Sequence, residues 1–472
     1  MTLEGLLSFL AVLVAIMALV DPVGRRSLSF LVPWQWLVGA AGISAILLLA
    51  RDVLRVAGLN PATDSLLSSM SFVIPATVGI FCVRSWQRAR LPSDPQQALD
   101  AVYQLVRTAL LEGRFTEVER VLRANESRLR TLTDEHTVLL FDPRLISAFL
   151  ASGSSFHLEL LADLSYIDSL PNRFATVHGV VRALLVGELS PLRSVIVERT
   201  NVQERYHATR VETELIDQTF GNPEWYLRSS AYYALVVAAV QEVESCERDA
   251  TYNAALGLYG STHGRSTRTR CPIFMAEKTI VFALEKAIVQ KTELDCYVMD
   301  LHDLFRTILA HSDHRKSIWN LPFAESPTPY AYLLTEIVND LRRLAEAAIV
   351  ISPSEPGHLA QEIAQAWSFC VWSIADPEAG VSPAFRNERV SDYLTFVLQL
   401  GWQPGQFSVD SGIKGLERWR DLFAHQLRAR LMIGGDAHDL VMGLLSTADT
   451  GKEYARLGRE WLRTELERAG QT

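Results

Sequence analysis

The chain has 472 residues, with 45 Lys and Arg against 54 Asp and Glu for a net charge of −9, and five cysteines. Beyond the first 90 residues, which hold seven basic and four acidic side chains, the remainder is 38 against 50, or −12, and this disfavours non-specific attraction to nucleic acid or anionic lipid. Cys82, Cys246, Cys271, Cys296 and Cys370 show no paired spacing, so neither a disulfide framework nor a cysteine-rich zinc site is expected.

The amino-terminal region reads as three apolar segments free of formal charge, Gly5–Val20, Ser27–Ala50 and Ser65–Val83. A helix needs roughly 20 apolar residues to cross a bilayer. Three transmembrane helices are therefore expected, at about 5–20, 31–50 and 65–83, forming an anchor over 1–90. Glu4 precedes the first segment and no Lys or Arg does, unlike the basic start of a cleaved signal peptide. Arg25, Arg26, Arg84, Arg88 and Arg90 on one side, against Arg51 and Arg55 on the other, place the large domain in the cytoplasm of a bacterial inner membrane, with a multi-pass anchor. Gly39, Ala40, Ala41, Gly42 and Ala45 let helices approach closely, in an oligomer or within one chain.

Two prolines in Leu91-Pro92-Ser93-Asp94-Pro95 end this region, and Asp94 can cap the next helix with Pro95 at its first position. A helical hairpin is expected from Gln96. Leu99, Val102, Leu105, Val106, Ala109 and Leu110 form one stripe, Gly113 punctuates, and Phe115, Val118, Val121 and Leu122 resume it. The junction Gly113-Arg114-Phe115 resembles the turn of a single tetratricopeptide unit. No second copy follows at that period, and one unit cannot bury its own face.

Asp142-Pro143 and Asn222-Pro223 open further helices. Between them, 174–200 is where strands compete: Val177, Val180, Val181, Leu184, Leu185 and Val186, then Val195, Ile196 and Val197, can form a small β-hairpin or two helices. Helix is favoured because Ser190-Pro191 is also a cap with proline in the first turn. Later helices are expected over Ile273–Lys291, Glu293–Ala310, Pro329–Ile351, Gly357–Ala375, Pro383–Gly401, Lys414–Met432, Ala437–Leu445 and Gly451–Ala469, separated by proline and glycine. The fold class is thus a membrane-anchored all-α protein. Its helical cytosolic domain has two halves, 91–260 and 271–472, divided at the polar loop Gly260–Arg270.

That loop mixes glycines, hydroxyls and cations like a phosphate cradle, but its glycines are one residue too close and Arg265 stands where a nucleotide-binding loop needs lysine. Arg265, Arg268 and Arg270 remain a candidate anion site. His302-Asp303, with His311, Asp313 and His314, is the densest group of metal-ligand types, and its doublet resembles that of metal-dependent phosphohydrolases. His302 and His311 are nine apart, about 2.5 turns, so one helix points them roughly opposite ways. No metal site or cofactor is assigned.

The aromatic groups Trp225-Tyr226, Tyr232-Tyr233 and Trp367, Phe369 and Trp372 read as core, the last with a chance of facing a groove. No Gly-x-Ser-x-Gly elbow occurs and no catalytic residue is assigned. The expected role is a membrane-anchored helical binding or regulatory protein, a sensor or effector in signalling, stress or defence. Its partners would be the bilayer, other proteins and copies of itself, and not nucleic acid. The alternatives are an oligomeric pore-forming effector and a metal-dependent hydrolase built on His302 and Asp303.

Overall fold

The computed structural model describes nearly all of residues 94–130, 139–187, 189–199, 208–248, 271–292, 297–311, 329–351, 357–399, 410–432, 435–447 and 453–468, with scattered residues between 43 and 77. They are helical, as the apolar periodicity predicts. The chain divides into two compact units, the first comprising Met1–Leu160 and Ser169–Asn172, the second Leu161–Asp168 and Arg173–Thr472.

The three expected transmembrane helices are overturned: among the described residues, no helix is long and apolar enough to cross a membrane. The first segment lies wholly outside the described residues, and so do Gly39, Ala40, Ala41 and Gly42 of the second. An apolar window reports composition, whereas spanning also needs about 20 residues of unbroken helix. Arg51, which the charge count placed in an exposed loop between spans, is buried; it bonds Asp52 at 2.7 Å and lies 3.7 Å from Asp64. The multi-pass inner-membrane localisation, with its cytoplasmic large domain, rested on those helices and is corrected with them.

In the first unit, α1 (Pro95–Glu112) and α2 (Phe115–Arg123) form the expected hairpin. Asp94 accepts from Gln96 N at 3.0 Å, and Gly113 ends α1 in the left-handed region that glycine occupies at least cost. The short α3 (Glu126–Leu129) follows, and α4 (Pro143–Ala151), capped by Asp142, packs on α1 and α2. The last helix of this unit, α5 (Phe156–Leu161), sets His157 among Phe141, Phe149 and Phe156, and its Nε2 donates to the Leu140 carbonyl at 2.6 Å.

The second unit begins with α6 (Leu164–Ser169), α7 (Arg173–Val186), α8 (Pro191–Arg199), α9 (Arg210–Gln218), α10 (Pro223–Arg228) and α11 (Ala231–Arg248). The stretch 174–200 is therefore two helices. Val177, Val180, Val181, Val195, Ile196 and Val197 are buried on α7 and α8, while Val186 at the end of α7 is exposed, and Ser190 accepts from Arg193 N at 3.4 Å to start α8. Then come α12 (Pro272–Gln290), α13 (Tyr297–His311), α14 (Pro329–Ile351), α15 (His358–Ala375), α16 (Pro383–Gln399), α17 (Asp410–Leu431), α18 (Gly435–Thr447) and α19 (Glu453–Glu467).

From α11 onward each helix lies on the next but one, and α7 lies on α11. One row runs α7, α11, α13, α15, α17, α19; the other runs α12, α14, α16, α18. Contacts within a row advance in step along both helices, so the neighbours are parallel. Arg182 meets Glu242 60 residues on, and Lys278 and Glu285 meet Glu336 and Arg343, each 58 on. Arg389 meets Thr335 54 residues back, and Trp419 meets Ala360 59 back. From α12 onward a step of two helices with their connections accounts for this spacing, whereas α8, α9 and α10 lie between α7 and α11. Nearest-neighbour burial of this kind is how helical repeat arrays are held together.

Candidate functional site

The helix α17 is fixed on α15 by buried aromatic packing. Trp419 and Phe423, both fully buried, pack on Trp367 of α15 with ring centroids 5.6 and 6.0 Å away, and the Trp419 indole donates to the Ala360 carbonyl at 2.9 Å. Trp367, one of the aromatics that could have faced a groove, is thus core, and Phe369 lies beneath Arg430, whose Cζ is 3.9 Å from the ring centroid. Locking one side of α17 fixes the direction of the other.

On that other side, Arg418, Asp421, Leu422 and His425 recur at helical spacing and line an open depression of about 370 Å3. Burial, and then the carboxylates of Glu465 and Glu417, push the Asp421 carboxyl above its usual range. Burial lowers Arg420 behind it to about 10, against the pull of Glu417 and Asp421. Arg428 approaches His425 Nδ1 at 3.4 Å, and Met432, 70% exposed, stands just past the helix end. The surface thus offers an aliphatic side chain among groups of both signs on a rigid backing.

His302, singled out as a metal-ligand candidate, is buried on α13. Its Nε2 faces Ser373 Oγ of α15 at 3.3 Å, its Nδ1 lies 3.6 Å from Asp303, and Phe369 meets it edge-on at 5.1 Å. The atoms come in the order of a Ser–His–Asp relay. The Asp303 side chain is 59% exposed and too distant for a hydrogen bond, however, and Ser373 sits inside α15, whose amides are committed to the helix. Among the described residues no group of three or more His, Cys, Asp or Glu could hold a metal ion. Asp313 and His314 lie outside those residues, as do Arg265, Arg268 and Arg270 of the candidate anion site. Asp300, one turn before Asp303, is buried and raised to about 8 by that burial and by the Asp303 charge.

A second charged group, which sequence reasoning passed over, joins α12 to α14. Lys278 Nζ lies 3.2 Å from Glu277 Oε1 and 3.0 Å from Glu336 Oε2, and also bonds Asp340. Arg343 bonds Asp340 and Glu285, each at 2.9 Å. Its signal was present in the sequence: Glu277-Lys278 interrupts an apolar run, Ile273 to Leu284, on a helix too apolar to leave them in water. The α17 surface had a fainter one, since its polar residues look like any solvated face.

No protein-family model matches the chain, and no curated protein matches it. A solved structure described as a circular tandem repeat protein with novel repeat topology and enhanced subunit contact surfaces is similar over 92% of this chain and 98% of its own. The identity is 13% and the TM-score 0.29, too loose a superposition to carry an argument about fold or role. The reading of function rests on this chain's own packing and surfaces.

Proposed function

We propose that the second unit is a helical binding scaffold with a regulatory role, and that it recognises a protein partner through the exposed face of α17. The observation that carries this is the depression lined by Arg418, Asp421, Leu422 and His425, backed by the buried Trp367, Trp419 and Phe423. Contact surfaces that bind well set an apolar anchor inside a polar rim, on a backbone that need not reorganise. Leu422 is such an anchor, and Arg418, Asp421 and His425 are such a rim. Charges of both signs favour a protein surface over the uniformly anionic backbone of a nucleic acid.

The test is site-specific photo-crosslinking of the full chain in its native cells, with the reactive side chain at position 422 and, as a control, at the exposed Val350 of α14. The proposal expects a discrete protein adduct from 422 that Asp421→Arg removes. Adducts that are equal from both positions, or unaffected by Asp421→Arg, would overturn it.

A further inference from the structure

The group around Lys278 has a feature that the binding role does not use. Glu277 is fully buried, Asp340 is 2% exposed and Lys278 7%. Four carboxyls (Glu277, Glu285, Glu336 and Asp340) share two cations, Lys278 and Arg343. Glu285 lies at the surface, its side chain 36% exposed, so the interface itself sets Glu277, Glu336 and Asp340 against Lys278 and Arg343. With all three carboxyls ionised it would hold one negative charge in excess, where an uncompensated charge is costly. Lys278 draws the Glu277 and Asp340 carboxyls onto one ammonium, and the second Glu277 oxygen, Oε2, is buried with no hydrogen-bond partner, which is where a retained proton would sit.

We propose that the step between α12 and α14 is closed by a proton: Glu277 holds a hydrogen on Oε2, and removing that hydrogen at alkaline pH loosens the two helices. Glu277 and Asp340 respond in opposite senses. Burial, with Asp340 and Glu336, drives the Glu277 carboxyl well above its usual range despite Lys278. Burial would raise Asp340 too, but protonated Glu277, Lys278 and Arg343 outweigh it and hold Asp340 ionised. Burial alone would lower Lys278, and Glu277, Asp340 and Glu336 more than reverse that.

The other helices packed on α12 also bring titratable groups. These are Arg173, His178 and Arg182 of α7, Arg193, Glu198 and Arg199 of α8, Glu224 and Arg228 of α10, Glu242 of α11, and Asp300, His302, Asp303 and Arg306 of α13. Arg182 is bound to Glu242, Arg199 to Asp217, and Arg228 to Glu224 and Asp168. The charges that act most on Glu277 remain Lys278, Asp340 and Glu336. The bound proton is thus a property of the α12–α14 interface.

The sign follows from where the proton leaves. In the unfolded chain Glu277 ionises near the ordinary carboxylate range, while the folded chain keeps it neutral. The stabilisation is therefore complete below the unfolded pKa and is lost as pH rises toward the folded one. The experiment is equilibrium denaturation of the full chain between pH 6 and 8, comparing wild type with Glu277→Gln, which keeps the size of the side chain but cannot ionise.

Over that range the wild-type folding constant should fall, relative to the variant, by roughly tenfold per pH unit. Parallel profiles would overturn the proposal. Should Glu277→Gln not fold, infrared spectroscopy decides in its place. A glutamic-acid C=O band that persists at pH 8, shifts on 13C-glutamate labelling and survives Glu285→Gln supports the bound proton, and the absence of such a band overturns it.

Discussion

Trp419 donates its indole N–H to the backbone oxygen of Ala360, joining the middle of α17 to the start of α15 across 59 residues of sequence. Both residues are buried, so the bond is shielded from water as well as geometrically sound. Trp419→Phe keeps an aromatic ring in place but removes the donor, and should lower stability by about 1–2 kcal/mol. Trp419→Ala also empties the space against Trp367 and Phe423 and should cost about 3–5 kcal/mol. Denaturant midpoints check both values. If Trp419→Ala is tolerated, α17 is not fixed as described.

The charged group on α12 gives a sharper expectation for removal than for replacement. Lys278→Met leaves the carboxyls of Glu277, Asp340 and Glu336 facing one another without their shared ammonium, and should destabilise by about 3–5 kcal/mol. The double change Lys278→Met, Asp340→Leu removes both a cation and an anion from the interface, and should recover a large part of the loss. A double variant no better than the single one would show that the contacts do not act as a unit.

The first unit should respond to acid through His157. Burial holds its imidazole at about 4, while the unfolded value is near 6.5, so the unfolded chain binds the extra proton first. Stability from this site is complete above pH 6.5 and is lost as pH falls toward 4, by roughly 3 kcal/mol in all. Replacement by Gln, which can still donate to Leu140, should flatten that part of the acid profile. An unchanged slope would show that other groups carry it.

Gly221 tests the packing of α9 against α12. A β-carbon there would lie 2.9 Å from the Asp217 carbonyl oxygen and 3.0 Å from both the Asp217 Cα and the Phe282 ring. Because two of those three atoms are backbone, relief requires moving the end of α9. Gly221→Ala should therefore destabilise by about 1–3 kcal/mol, whereas Gly435→Ala, whose β-carbon would meet nothing within 4 Å, should be nearly neutral.

How much of this was legible in the sequence depends on whether the signal was local. Caps were: Asp94, Asp142 and Asn222, each followed by proline, start helices where the chain says they do. Helices from Pro272 to Glu467 follow their apolar stripes closely for the same reason. The repeat was hidden because what recurs is a separation and not a residue type. Lys278 with Glu336 and Thr335 with Arg389 occupy equivalent steps and share no chemistry, and the step is 54–59 residues, far from the tetratricopeptide length. The membrane reading is corrected because an apolar stretch of sequence does not by itself establish a helix of spanning length, and among the described residues no helix is long and apolar enough to cross a bilayer. The α17 surface left only a faint signal, because its polar residues look like any solvated face and only tertiary packing decides which face of an amphipathic helix stays open.

Leu422 is the residue on which the proposed binding role turns. The most direct measurement is the affinity of the crosslinked partner for purified full-length protein, comparing wild type with Leu422→Asp and with Val350→Asp, all verified to melt at the same temperature. The account predicts at least a tenfold weaker complex for Leu422→Asp and no change for Val350→Asp. Equal affinities for all three proteins would place the partner elsewhere and contradict it.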